Sequence, residues 1–176
     1  PLIAKNYVFN RFTDPGGIIP SVMEEQANGR VLVVTPRQKR ADHLAKRLGC
    51  PVVHADVADG AAWRAWTEFA TQTHGVLVTT RIGAWLSAVA DIVIIDEPEN
   101  DDHKQDELTP RYDARRLIEL AAQLNPALRT ISVCTTPRLA DYEQAKLTPE
   151  IKPDVTYVAF QKGMWSPVES LTQPAF

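Results

Sequence analysis

Asp96 and Glu97 follow directly on four consecutive β-branched residues, Ile92-Val93-Ile94-Ile95. An Asp delivered at the end of a buried strand can hold Mg²⁺ beside a nucleotide, and a following Glu can orient an attacking water. The same residues also describe a strand that simply meets a solvated acidic turn: the run 96–107 holds seven carboxylates and one lysine. A second candidate is basic. Arg37, Lys39, Arg40, Lys46 and Arg47 cluster at and along a helical stretch after Pro36, where cations at a loop following a strand can pair with a nucleic-acid backbone. Basic residues are also routine on an exposed helix face. His43, His54, His74 and His103 share no metal-ligand spacing, so they read as structural or surface residues and no metal centre is expected.

The elements that must position these groups alternate along the chain. Strand-like runs fall at 7–9, 31–34, 52–54, 76–79, 92–95, 130–134 and 155–160. An all-apolar strand such as Ile92-Val93-Ile94-Ile95 needs cover on both faces, which points to a parallel sheet flanked by helices. Ligands in such sheets gather beyond the carboxyl ends of the strands, where Asp96 and Glu97 emerge. The stretch 38–48 places Ala41, Leu44, Ala45 and Leu48 on one helical face and stops at Gly49. Asp59 is placed to cap a helix with an inner face of Ala62, Trp63, Trp66, Phe69 and Ala70. Thr109-Pro110 reads as the start of a helix to about Leu124, with Ala114, Leu117, Ile118, Ala121 and Leu124 inward. The expected class is therefore α/β.

The 176 residues suit one domain plus a tail, with 19 basic and 22 acidic side chains near balance. No global field marks a nucleic-acid or membrane partner, and no apolar run reaches spanning length. Cys50 and Cys134 lie far apart beside strand-like runs, which suits reduced thiols in a cytoplasmic protein. The chain begins at Pro1 rather than Met, so it reads as cut from a longer protein.

Several stretches together resemble the primosomal replication-restart helicases of the PriA type. The most specific is Asp96-Glu97-Pro98-Glu99, then Lys104-Gln105, then Pro110-Arg111-Tyr112-Asp113-Ala114-Arg115. Upstream, Gly29-Arg30-Val31-Leu32-Val33-Val34-Thr35-Pro36 is similar to the family's first nucleic-acid-contacting motif. Val76 to Leu86, with Thr80-Arg81 inside it, is similar to a second such segment. Ser132-Val133-Cys134-Thr135-Thr136-Pro137-Arg138-Leu139 stands where the family has a further motif. The similarity runs from about Tyr7 to Gln144 and implies the first RecA-like domain of a superfamily-2 helicase core. It implies domain bounds of 1–146, with a last strand and tail or linker over 147–176. It also implies that Pro36, Arg37, Lys39, Arg40, Thr80 and Arg81 face DNA, and that Lys104, Gln105, Arg111, Tyr112 and Arg115 form the signature loop.

The chain departs from the family where ATP chemistry belongs. A phosphate loop needs glycines whose N–H groups cradle phosphates, a lysine and a hydroxyl that holds Mg²⁺. After Tyr7-Val8-Phe9 this chain reads Asn10-Arg11-Phe12-Thr13-Asp14-Pro15-Gly16-Gly17. Asn10 and Pro15 replace the glycines, Gly16 the lysine and Gly17 the hydroxyl residue, while Asp14 sets a carboxylate against phosphate. Pro98 and Glu99 alter the acidic motif, and Thr135 the last one. The resemblance thus implies a DNA-binding or protein-docking domain of a replication-restart protein. Its expected partners are single-stranded or forked DNA and other replication-restart proteins, with Asp96 and Glu97 vestigial and neither ATP nor Mg²⁺ as cofactor. An ATP-dependent 3'-5' DNA helicase fragment, and a protein-interaction domain with no DNA affinity, are the alternatives. Asp96, Glu97 and Asp14 crowded at one edge would repel one another, and Arg11 is the expected bridge.

Overall fold

The computed structural model describes residues 6–10, 29–107 and 109–134, with 6–10 and 134 described through the backbone alone. Strands β1 (Asn6–Asn10), β2 (Arg30–Val34), β3 (Val52–Val53), β4 (Gly75–Thr79), β5 (Ile92–Asp96) and β8 (Arg129–Cys134) form one six-stranded sheet. Their order is β1-β8-β5-β2-β4-β3, and every pairing is parallel. The expected α/β class is observed, and β1 and β5 share the sheet as expected, with β8 between them. β5 lies in the interior, in register with β2 through Ile95↔Val34 and with β8 through Asp96↔Val133.

Strand alternation sends successive side chains to opposite faces. Leu32, Val34, Val93 and Ile95 pack on one side with helices α2 (Asp59–Thr71) and α3 (Ala114–Leu124) and the 3-10 turns of Arg81–Ala88. Val31, Val33, Ile92 and Ile94 pack on the other with α1 (Gln38–Leu48), through Ala41, Leu44 and Ala45. Each such fully buried aliphatic side chain contributes on the order of 1.5–3 kcal/mol. This double-sided burial explains why β5 is apolar without interruption until Asp96.

The helix of residues 38–48 is found as expected, closed by Gly49 at φ 64° with the Cys50 N–H donating to Ala45 O. Three expectations need correction. Ala58, not Asp59, occupies the cap position of α2, and Asp59 opens the helix without a side-chain cap bond. Trp63 does not face inward: it is 68% exposed and, with Trp85, flanks a shallow apolar groove floored by Trp66, Ile82 and Leu86. Ala62 and Phe69, with Ala65 and Trp66 partly buried beside them, make the inner face of α2, and Trp63 in its second turn is left outside. The helix expected from Thr109-Pro110 starts at Ala114 instead, because Lys104–Gln105 (β6) and Tyr112–Asp113 (β7) pair as an antiparallel ribbon and Asp113 accepts from the Arg115 N–H. Leu124, at its far end, is exposed.

The loop 11–20, the motif residues 135–139, the expected strand 155–160 and the boundary near 146 lie outside the described residues. No helix among the described residues is long and apolar enough to cross a membrane.

Candidate functional site

The strand order reverses direction at the gap between β2 and β5. From β2 the chain crosses through α1 toward β3, and from β5 it turns the other way toward β8. The helices that follow leave on opposite faces, α1 on one and α3 on the other. Such a switch point opens a crevice at the carboxyl edge of a parallel sheet, the usual ligand position of the class. Asp96, the last residue of β5, and Thr35, the residue after β2, meet there.

Asp96 is fully buried. Its Oδ2 accepts from Thr35 Oγ1 at 3.2 Å and from Arg40 Nε at 2.9 Å. Arg40 reaches it from the first turn of α1, its side chain 31% exposed, so the pair spans from solvent to the buried edge. A buried carboxylate is costly unless it is paired and hydrogen-bonded, and Arg40 and Thr35 both meet this one. The Asp96 backbone is held as well: His103 Nε2 lies 2.9 Å from its carbonyl oxygen. His103 is itself fully buried, and burial pushes its pKa below the ordinary histidine range, so the ring is neutral and donates through Nε2. Its Nδ1 meets no hydrogen-bond partner.

The loop after β5 is shaped by two further restraints. Glu97 adopts a left-handed backbone at φ 52°, a conformation that disfavours a side chain, and its N–H donates to Val133 O. That turn aims Glu97 Oε2 at Asn100 Nδ2, 3.2 Å away. Behind it, the buried Arg115 guanidinium donates from Nη1 to Pro98 O at 2.7 Å and to Asn100 O at 3.3 Å. Nε and Nη2 of the same residue grip Asp113 at 2.8 and 2.6 Å. The Arg115 contacts hold the Asp113 carboxyl below its usual range against the opposing effect of its partial burial. Within the signature loop, Arg115 therefore fastens α3 to the acidic turn, while Arg111 is exposed.

The remaining sequence-predicted residues gather at the same edge but are unequally available. Pro36 and Thr80 are buried, and the Thr80 N–H donates to Val53 O. Arg81 Nε donates to Gln105 Oε1 at 2.9 Å and its Nη1 to Asp102 O at 3.1 Å. Tyr112 OH donates to Arg81 O, and its ring stands 5.6 Å from that of Trp85. Arg37 and Lys39 are exposed, Arg37 with Nε 3.4 Å from Asp102 Oδ2. Lys104 pairs with Asp101 rather than with the loop core. Asn10 ends β1 at this same edge, while Arg11, Asp14, Pro15, Gly16 and Gly17 lie outside the described residues. Among the described residues Arg40 supplies a counter-charge to Asp96, and it is a residue that the family resemblance assigns to DNA; the expected bridge Arg11 lies outside them.

Two participants escaped sequence reasoning. Thr35 follows β2 immediately, and its place at a strand end beside a candidate acid was the available signal. His103 sits in an acidic, solvated-looking run, and nothing in its spacing announces that it is buried under Asp96. No group of three or more His, Cys, Asp or Glu side chains suited to a metal ion occurs among the described residues. A divalent ion on Asp96 Oδ2 would have to displace the Arg40 guanidinium, so the donor set here does not fit a Mg²⁺-nucleotide.

No protein-family model matches the chain, and no curated protein matches its sequence. Among solved structures it is similar to the C-terminal domain of the DEAD-box protein Dbp5, at 14% identity over 81% of each chain, with a TM-score of 0.52. It is also similar to the helicase nsp10 of PRRSV, at 15% identity and a TM-score of 0.41, over 76% of this chain and 26% of that one. The chain thus spans about a quarter of the viral helicase. The first likeness, with the parallel sheet and its two helical layers, shows a RecA-like α/β fold.

Proposed function

We propose that this chain is a degenerate RecA-like domain of a PriA-type replication-restart protein, serving as a DNA-binding or protein-docking scaffold without ATP turnover. The observation that carries this reading is the Arg40–Asp96 pair at the switch point. The acid that would hold Mg²⁺ in an active relative is here buried against an internal cation, which supports a site given over to the protein's own charges. The altered residues Asn10, Asp14, Pro15, Gly16 and Gly17 support the same conclusion from the sequence side. Thr35, Asp96 and Glu97 then act as structural remnants that shape an edge on which Arg37 and Lys39 remain outward.

DNA contact at that edge is electrostatic and indifferent to base sequence, because its exposed groups are cations that pair with phosphates rather than with base edges. The test is binding of the 176-residue chain to single-stranded and forked oligodeoxynucleotides across a salt series. Weak affinity that falls steeply with salt and drops equally for all sequences in the Arg37→Ala/Arg81→Ala double variant supports the reading. Unchanged affinity in that double variant removes this face from the account. Absence of any DNA binding leaves the docking role, recruitment of other replication proteins, as the surviving half of the proposal.

A further inference from the structure

The loops after β2 and β4 supply the outward cations of this edge, and both are tied to one segment of the loop after β5. Arg37 meets the Asp102 carboxylate at 3.4 Å, and Arg81 meets Asp102 O at 3.1 Å and Gln105 Oε1 at 2.9 Å. The segment is braced from behind. The Asp102 N–H donates to Asn100 Oδ1 at 3.0 Å, buried Arg115 holds Asn100 O, and His103 anchors the turn to Asp96. A fixed acidic tip is therefore presented to the two arginines rather than swinging in solvent.

We infer that the turn carrying Asp101 and Asp102 is a built-in competitor for nucleic-acid phosphate. It occupies Arg37 and restrains Arg81, so that a polyanion must displace it to bind. This inference rests on the DNA-facing reading of Arg37 and Arg81. The two arginines play different parts. Arg81 is held by neutral oxygens, which position it without cancelling its charge. Arg37 is held by a carboxylate, which both occupies and neutralises it. The Arg37 and Asp102 side chains are 65% and 57% exposed, and an exposed pair of this kind is worth only about 0.2–1 kcal/mol. The contact therefore lowers affinity and flattens its salt response without abolishing binding.

The experiment is fluorescence anisotropy of a labelled, mixed-sequence single-stranded oligodeoxynucleotide with the whole 176-residue chain, over a salt series. The wild type is compared with Asp102→Asn, which removes the competing charge but keeps its shape. Asp106→Asn makes the same net-charge change on an exposed residue of the same acidic run. The expected result is affinity about two- to fivefold tighter for Asp102→Asn at low salt. Its salt slope should steepen by about 0.7, the increment for one more phosphate contact on a single strand. The gain should vanish in Asp102→Asn/Arg37→Ala, and Asp106→Asn should stay near wild type. A gain in affinity cannot arise from unfolding, so the readout is independent of any loss of stability. Equal gains in Asp102→Asn and Asp106→Asn reduce the effect to net charge and overturn the inference. Wild-type binding with no change in Asp102→Asn overturns it too, while leaving the DNA-facing reading intact. No binding by any of the four proteins overturns both.

Discussion

Arg40 Nε lies 2.9 Å from Oδ2 of Asp96, joining the first turn of a surface helix to a carboxylate with no solvent exposure. Arg40 opens the helix that follows β2 and Asp96 ends β5, so the pair spans the point where the strand order reverses.

Removing Arg40 should therefore be more damaging than removing an ordinary surface arginine. Arg40→Ala leaves a buried carboxylate with Thr35 as its remaining hydroxyl donor, and the expected loss is about 2–3 kcal/mol of unfolding free energy. That lies below the roughly 3–5 kcal/mol of a wholly buried pair because Arg40 is one-third exposed. Adding Asp96→Asn to Arg40→Ala should recover much of the loss, since the buried carboxylate charge goes with it. Urea denaturation of the two variants and the wild type checks both statements. A double variant no more stable than Arg40→Ala would mean that the damage is not electrostatic.

His103 gives the fold a pH dependence of definite sign. Its folded pKa is lowered from 6.5 by burial, so the unfolded chain takes up a proton before the folded one does. Its contribution is complete above about pH 6.5 and is lost as pH falls from there toward the depressed folded value. Stability between pH 7 and pH 5 should decline with a slope approaching about 1.4 kcal/mol per pH unit for this one group. His103→Gln can still donate to Asp96 O but does not titrate, and its stability should be flatter over the same interval. Parallel denaturation curves for the two proteins across that window would rule His103 out as the source.

Two glycines should respond oppositely to the same change. A Cβ on Gly83 would press on Thr79 Oγ1 and stand 2.8 Å from both Cβ and Cγ2 of that fully buried residue. Thr79 cannot move aside freely, because its hydroxyl donates to Val53 O at 2.8 Å. Gly83→Ala should lower stability by about 1–3 kcal/mol. On Gly60, in the first turn of α2, the added carbon meets only Arg64 Nη1 at 3.9 Å, and Ala there should stabilise by up to about 1 kcal/mol. Thermal unfolding of the two variants reads both signs.

Much of this architecture is legible in the chain itself, for identifiable reasons. The β-branched run before Asp96 and the apolar face ending at Gly49 are local signals, and the sheet and α1 follow them. The misread positions are those where a distant partner decides. Trp63 fits the helical period of α2 yet lies outside, because the sheet offers room for only one side of that helix. Thr109-Pro110 has the local chemistry of a helix start, but pairing of β6 with β7 and the Asp113 cap delay the helix to Ala114. At the site, the buried strand delivering Asp96 could be read directly, whereas the approach of Arg40 to it could not, and the loop with Arg11 and Asp14 lies outside the described residues. Arg40 looks like any other basic residue on α1 until the topology brings it beside β5.

Whether this edge still accepts nucleotide tests the account most directly. Isothermal calorimetry of MgATP titrated into the 176-residue chain should give no binding heat, in wild type and in Arg40→Ala alike. The variant removes the Arg40 guanidinium from Asp96 but restores none of the phosphate-loop ligands missing from the sequence around Asp14 and Gly16. Low-micromolar affinity for MgATP in the wild type would contradict the account, for it would show that Arg40 yields Asp96 to the metal and that the domain is a working nucleotide site.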